Sequence, residues 1–230
     1  MKILSLIIFF NLFLSCGSES KEKSNLGLRL RELEIAGGGS ESKIEVYKEF
    51  IEKEDKNILK IVNSIDKKSR FFNLIGLEFF KLGQYGPAIE YFAKNLEINP
   101  DNYLSHFYIG VASYNLAKNL RVKDEVEKYI ILAENSFLKS LSIRDDFKDS
   151  LFAISNMYVY DLDKQLEAKN YLNKLDDMGE DYFEFLMLRG ANYYSLGDLG
   201  NAILFYDKAS KKASTEEQKE GVSRIMSNLK

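Results

Sequence analysis

Residues Ser69–Asn102 read SRFFNLIGLEFFKLGQYGPAIEYFAKNLEINPDN, and the spacing within this stretch decides the fold. Phe72, Ile75 and Phe79 recur at three- and four-residue intervals, the period of an amphipathic helix. Gly83 and Tyr85 mark a turn, and Ala88, Phe92 and Leu96 repeat the helical period beyond it. Pro100 cannot continue that second helix, and Asn99 before it is pushed out of the α region. Gly76 and Ala88 have little or no side chain, so two antiparallel helices can approach closely there while Phe72, Phe79, Phe92 and Leu96 fill the space around the contact. A helix pair of this kind leaves one apolar face uncovered, which only a neighbouring pair can bury. The unit should therefore recur.

It does so three times. The second copy, 103–148, keeps Ile109-Gly110, Ala133, Phe137 and Asp145 in register but is about eleven residues longer, with the excess between Ala117 and Ala133. Val122, Val126, Tyr129, Ile130 and Ala133 run at helical spacing, and Asp124 can start or reinforce a helix, so the excess is expected to lengthen helices. The tip around Lys118–Lys123 then becomes a second candidate partner surface. The third copy, 149–182, holds the slots with Phe152, Asn156, Ala168, Leu172 and Leu175, none of them glycine. The fourth, 183–214, recovers the pattern with Leu186, Gly190, Tyr193, Gly197, Ala202, Tyr206 and Ala209.

The first copy matches nine positions of a known signature: a large apolar residue, an apolar-Gly pair, an aromatic, a Gly and Tyr turn, and an A-x3-F…P half. Over roughly residues 69–215 the chain resembles the tetratricopeptide repeat (TPR) family. The resemblance implies an all-α, helix-turn-helix solenoid of about four repeats with N- and C-terminal capping helices. Residues 41–68 are the N-terminal cap or a degenerate repeat: Ile44, Tyr47, Ile51, Ile58, Val62 and Ile65 outline an amphipathic helix, which the polar run Glu52–Asn57 is placed to split. Residues 215–230 are the C-terminal cap, where Thr215-x-x-Gln218 is a capping-box signal and Val222, Ile225, Met226 and Leu229 form one apolar stripe.

The N-terminus reads as an export signal. Lys2 precedes the apolar run Ile3–Leu14, twelve residues that would span about 18 Å as a helix, well short of a bilayer core of about 30 Å. The run ends Phe13-Leu14-Ser15-Cys16, which resembles a bacterial lipoprotein signal, although Phe13 and Leu14 depart from its strict form. The resemblance implies removal of residues 1–15, lipidation of Cys16 and a membrane anchor in the cell envelope, on the periplasmic face or at the cell surface. An ordinary secretory peptide with an incidental cysteine is the plainer alternative. Cys16 is the single cysteine, so no intramolecular disulfide can form. Residues 16–40 are then a lipidated cysteine and flexible tether, polar through Gly17–Asn25 and broken at Gly37-Gly38-Gly39. Leu26, Leu28 and Leu30 alternate like a strand within it. A strap on the protein's own solenoid suits Leu26–Ile35 better than a partner-docking peptide, because exposed apolar alternation is costly.

Composition removes several functions. With 32 basic and 35 acidic side chains interspersed, there is no basic stripe for nucleic acid. His106, the one histidine, falls at the large apolar slot of the second repeat and reads as a structural buried imidazole. No metal motif, phosphate loop or C-x-x-C pair occurs, and the acidic pairs Asp145-Asp146 and Asp176-Asp177 have no evident acid/base partner. No catalytic residue, metal or cofactor is expected.

What remains is the groove that first helices line in TPR proteins. Its twelfth place in each repeat is aromatic: Phe80, Tyr114, Tyr160 and Tyr194. Asn73, Leu77, Phe107 and Met157 lie at neighbouring groove places. The Lys, Asn and Arg clamp by which chaperone-binding members hold a peptide carboxylate is missing, which leaves an apolar, aromatic groove. Two functions fit: a lipid-anchored scaffold holding an envelope protein or peptide, or a lipoprotein that binds a hydrophobic small ligand beside a solute-binding or transport partner. The plainer reading is that these rings pack between first helices or under the terminal helix.

Overall fold

A computed structural model describes residues 16–37 and 39–229, with the side chains of 16–25, 40 and 41 left aside. The signal-peptide reading of 1–15 and the side chain of Cys16 lie outside the described residues. Among those residues the chain is all helix, divided into two compact units between Asp66 and Lys67.

The first unit holds α1 (Cys16–Ile35) and most of α2 (Ser40–Lys81). The polar tether expected over Gly17–Asn25 and the strand-like start after it are corrected here: both are helical and form α1, which ends before Gly37. Their Lys, Glu, Arg and Leu are good helix formers, whereas an isolated strand has no partner ladder. Arg29 forms an ion pair with Glu49, Lys43 Nζ lies 2.9 Å from Glu34 Oε1, and Val46 is buried. The expected split at Glu52–Asn57 does not occur either, because Glu, Lys and Asp there include no Gly or Pro to stop α2. Ile44, Tyr47, Ile51, Ile58, Val62 and Ile65 stay exposed.

The second unit begins with the end of α2 and continues through eight helices: α3 (Tyr85–Ile98), α4 (Tyr103–Asn119), α5 (Lys123–Ile143), α6 (Lys148–Tyr160), α7 (Gln165–Asp177), α8 (Phe183–Ser195), α9 (Leu199–Lys212) and α10 (Glu216–Asn228). Local chemistry sets the ends. Asn99 closes α3 through its N–H to Asn95 O at 2.8 Å, and Asn102 caps α4 by accepting from Ser105 N at 3.0 Å. Gly83 and Gly197 turn the first and fourth repeats at φ of 71° and 78°; the third makes its turn with Asp163 at φ 54°, a conformation that costs an L residue more. The long second repeat puts its excess into helix: α4 and α5 have 17 and 21 residues, separated only by Leu120, Arg121 and Val122.

Packing follows the repeat. First and second helices of one repeat lie against each other, and α4, α6 and α8 touch in order. A Cβ added to Gly76 would meet the Phe92 ring at 2.9 Å, one on Gly110 the Phe137 ring at 2.6 Å, and one on Gly190 the Tyr206 ring at 2.7 Å. Those glycines are what admits the rings. Larger and smaller apolar clusters result, the larger running from Ala133 to Val222. Thr215 and Gln218 close a full capping box, and α10 with Leu229 just after it lays Val222, Ile225, Met226 and Leu229 on the larger cluster. His106 is half-buried rather than enclosed: it lies near the start of α4, with Nε2 3.0 Å from Pro100 O, and desolvation lowers its pKa.

Candidate functional site: the aromatic edge of the first helices

The four aromatic twelfth places meet different surroundings. Phe80 is half-buried against the smaller cluster, edge-on to Tyr85 at 5.6 Å and to Tyr108 at 5.7 Å between centroids. Tyr114 is half-buried too. Its hydroxyl donates to Asp161 Oδ2 at 2.5 Å, Lys118 Nζ reaches Asp161 Oδ1 at 2.8 Å, and the same ammonium sits 4.9 Å from the Tyr114 centroid. Desolvation first, and then the bond to Asp161, raises the Tyr114 pKa; the bond to Asp161 is the main cause raising that of Lys118. This trio ties the end of α4 to the end of α6.

Tyr160 and Tyr194 are open. Tyr160 is 57% exposed and Tyr194 54%. Enough protein surrounds Tyr160 for desolvation to raise its pKa, yet its exposed area is what a ligand would meet. Tyr206 stands close to both electrostatically: burial chiefly, with Tyr160 and Tyr194 adding, pushes its pKa up to about 12. Tyr206, from α9, belongs to the larger cluster, and the phenols of Tyr160 in α6 and Tyr194 in α8 lie near enough to act on its charge.

The other expected groove residues are mostly committed elsewhere. Met157 is fully buried and offers nothing to a ligand, which corrects its placement in the groove; it packs in the larger cluster. Phe107 is held by Tyr108, Phe137 and Phe147, at 5.3, 6.1 and 5.2 Å between centroids. Asn73 Oδ1 accepts from Ser105 Oγ at 2.7 Å, in a buried network where Asn95 Nδ2 donates to Ser69 O and Oγ. Leu77 packs on the smaller cluster.

Sequence reasoning missed Asp161, Lys118 and Tyr206 as members of this edge. Tyr206 carried a signal, being the one tyrosine at a slot otherwise filled by Phe92, Phe137 and Leu172. Asp161 carried none, since its partners lie a whole repeat away. Arg189 was also missed: buried in α8, it lies 2.6 Å from Asp176 Oδ2 and 2.5 Å from Asn173 Oδ1, with its guanidinium 5.0 Å from the Tyr193 centroid. Desolvation raises the Asp176 pKa against the pull of Arg189, as expected for a partly buried ion pair. Among the described residues, no group of three or more His, Cys, Asp and Glu side chains is placed to hold a metal ion, and no helix is long and apolar enough to cross a membrane.

Repeats, turns and close-packed glycines together define a helical repeat protein, and its relatives agree. The tetratricopeptide repeat family pattern matches residues 69–102. A protein of Borreliella burgdorferi described as a TPR repeat-containing protein is 96% identical over 230 residues, covering all of both chains. A thermophilic TPR protein of Thermus thermophilus shares the fold, with a TM-score of 0.55 at 16% identity over 89% of this chain and 95% of that one. The chain belongs to the TPR family. Its architecture is that of a protein-interaction scaffold.

Proposed function

We propose that this protein is a non-catalytic scaffold of a bacterial cell envelope, held to a membrane by lipid on Cys16, that offers the tyrosine edge of its repeats to a peptide segment of an envelope protein. The observation that carries the reading is the exposure of Tyr160 and Tyr194, one repeat apart, while Phe80, Phe107 and Met157 are packed. A hydrophobic carrier would need the apolar members free. What stands open instead is phenolic: large contact area, few rotatable bonds and a hydroxyl to orient a polar group. Lys118, which sits over the Tyr114 ring, is already paired with Asp161, so this part of the edge suits a backbone or neutral segment better than a carboxylate terminus.

The test is stoichiometric co-purification from native membranes. A partner retained by the parent chain should be lost from Tyr160→Ala with Tyr194→Ala while helicity is kept. Retention by that variant, or recovery of lipid in place of protein, would defeat the scaffold reading. Anchoring is tested separately: Cys16→Ala should move the chain from the detergent phase to the aqueous phase.

A further inference from the structure

α2 carries an isoleucine at every seventh position from Ile44 through Ile51 and Ile58 to Ile65. Tyr47 and Ile61, three residues after Ile44 and Ile58, fill two of the four d places of a coiled-coil seam, and Glu54 and Lys68 hold the other two. A strict seven-residue period keeps these side chains facing one partner helix along a slightly underwound α-helix. All six apolar ones are exposed, from 39% at Ile65 to 61% at Ile51. One exposed isoleucine is ordinary, but a periodic row of them is the mark of an interaction surface.

α1 does not cover the row. Its ion pairs to α2 are made at Lys43 and Glu49, and the side chain buried there is Val46. At about 100° of rotation per residue, Val46 and Glu49 lie well around the helix from the Ile44–Ile51 line. The seam needs a helix with the same period, and α2 is itself such a helix.

Charge selects the direction. From Glu41 to Asp55 the helix has six acidic and three basic side chains; from Lys56 to Arg70 it has five basic and one acidic. Two copies in parallel would set acid on acid and base on base, and would place Glu54 against Glu54 and Lys68 against Lys68 at seam positions. Reversed, the acidic half of each lies along the basic half of the other. We propose that α2 pairs antiparallel with α2 of a second copy of this chain through the Ile44, Ile51, Ile58 and Ile65 seam.

Sedimentation equilibrium on residues 16–230 carrying Cys16→Ser, so that neither an acyl group nor the apolar leader contributes, should give twice the monomer mass. Ile51→Lys with Ile58→Lys should weaken the dimer at least tenfold with unchanged helicity, because both side chains are exposed. Glu41→Lys with Glu45→Lys should also weaken it, since with Ile44 set against the partner's Ile65 these acids lie along the partner's basic half. A chain that is monomeric at every concentration overturns the proposal, as does a dimer indifferent to the isoleucine substitutions. Tightening by Glu41→Lys with Glu45→Lys would overturn the antiparallel arrangement. A monomer that binds phosphatidylcholine vesicles, and loses that binding with the isoleucines, would hand the seam to lipid.

Discussion

Two places on the first helices lie four residues apart and look equally regular in sequence, yet the structure uses them differently. One holds Gly76, Gly110, Asn156 and Gly190; the other holds Phe80, Tyr114, Tyr160 and Tyr194. Every glycine of the first set sits under a ring from the second helix of its own repeat. In the third repeat Asn156 replaces glycine and Leu172 replaces the ring, so a bulkier residue on one helix is matched by a slimmer one on the other. The second set splits, with two members engaged and two exposed. A place that faces its own repeat is settled by that repeat's contents. A place on the edge is settled by whatever the neighbouring repeat brings to it.

The largest effect should come from breaking the first set. Gly110→Leu forces side-chain atoms into the Phe137 ring, which a Cβ alone would approach to 2.6 Å. Overpacking of this degree costs about 3 kcal/mol, read as a lower denaturant midpoint. A midpoint equal to the parent's would mean that the crossing can open without loss.

Next in size is Phe80→Ala, which removes a ring held by Tyr85 and Tyr108. For a half-buried phenylalanine the loss should be about 2 kcal/mol, below the cost for a fully buried one. Tyr114→Phe is smaller again. It deletes the hydroxyl bond to Asp161 but keeps the ring under Lys118, so about 1 kcal/mol is expected in the same measurement. If Phe80→Ala proved neutral, the first repeat would share the open character of the last two, and the division within the row would be lost.

The same contrast explains what is legible in the sequence. The glycine crossings, the capping box at Thr215 and the long helices of the second repeat can be read because each depends on residues near in sequence. The exposure of Tyr160 cannot, because it depends on what α8 and α9 leave uncovered. Nor can the bond from Tyr114 to Asp161, which joins residues 47 apart. Periodicity misplaces Met157 because it gives the face of a helix but not how deeply the next helix settles on it. At the N-terminus, alternation of Leu26, Leu28 and Leu30 suggests a strand; with no second strand to pair with, the helix-forming residues around them prevail.

The smallest stability change belongs to Tyr160→Ala with Tyr194→Ala, which should stay within about 0.5 kcal/mol of the parent, as surface substitutions do. The double variant nevertheless has a distinct signature through Tyr206. A phenol ordinarily titrates near 10, whereas burial and its two neighbours push Tyr206 to about 12. Below about pH 10 the ring is neutral in folded and unfolded chains alike, so its contribution to stability is fully present there. Between about 10 and 12 the unfolded chain loses the proton first, stability falls as pH rises, and the contribution is gone above the folded value. Without Tyr160 and Tyr194 the folded value should move down toward the ordinary one, because the site gains water and loses two ionising neighbours. Following the Tyr206 ring resonance through alkaline pH checks this directly. An unmoved titration would place Tyr206 out of reach of both exposed tyrosines and reduce the edge to two isolated rings. A large loss of stability at neutral pH would instead make those rings core, and the contrast between the two places would disappear.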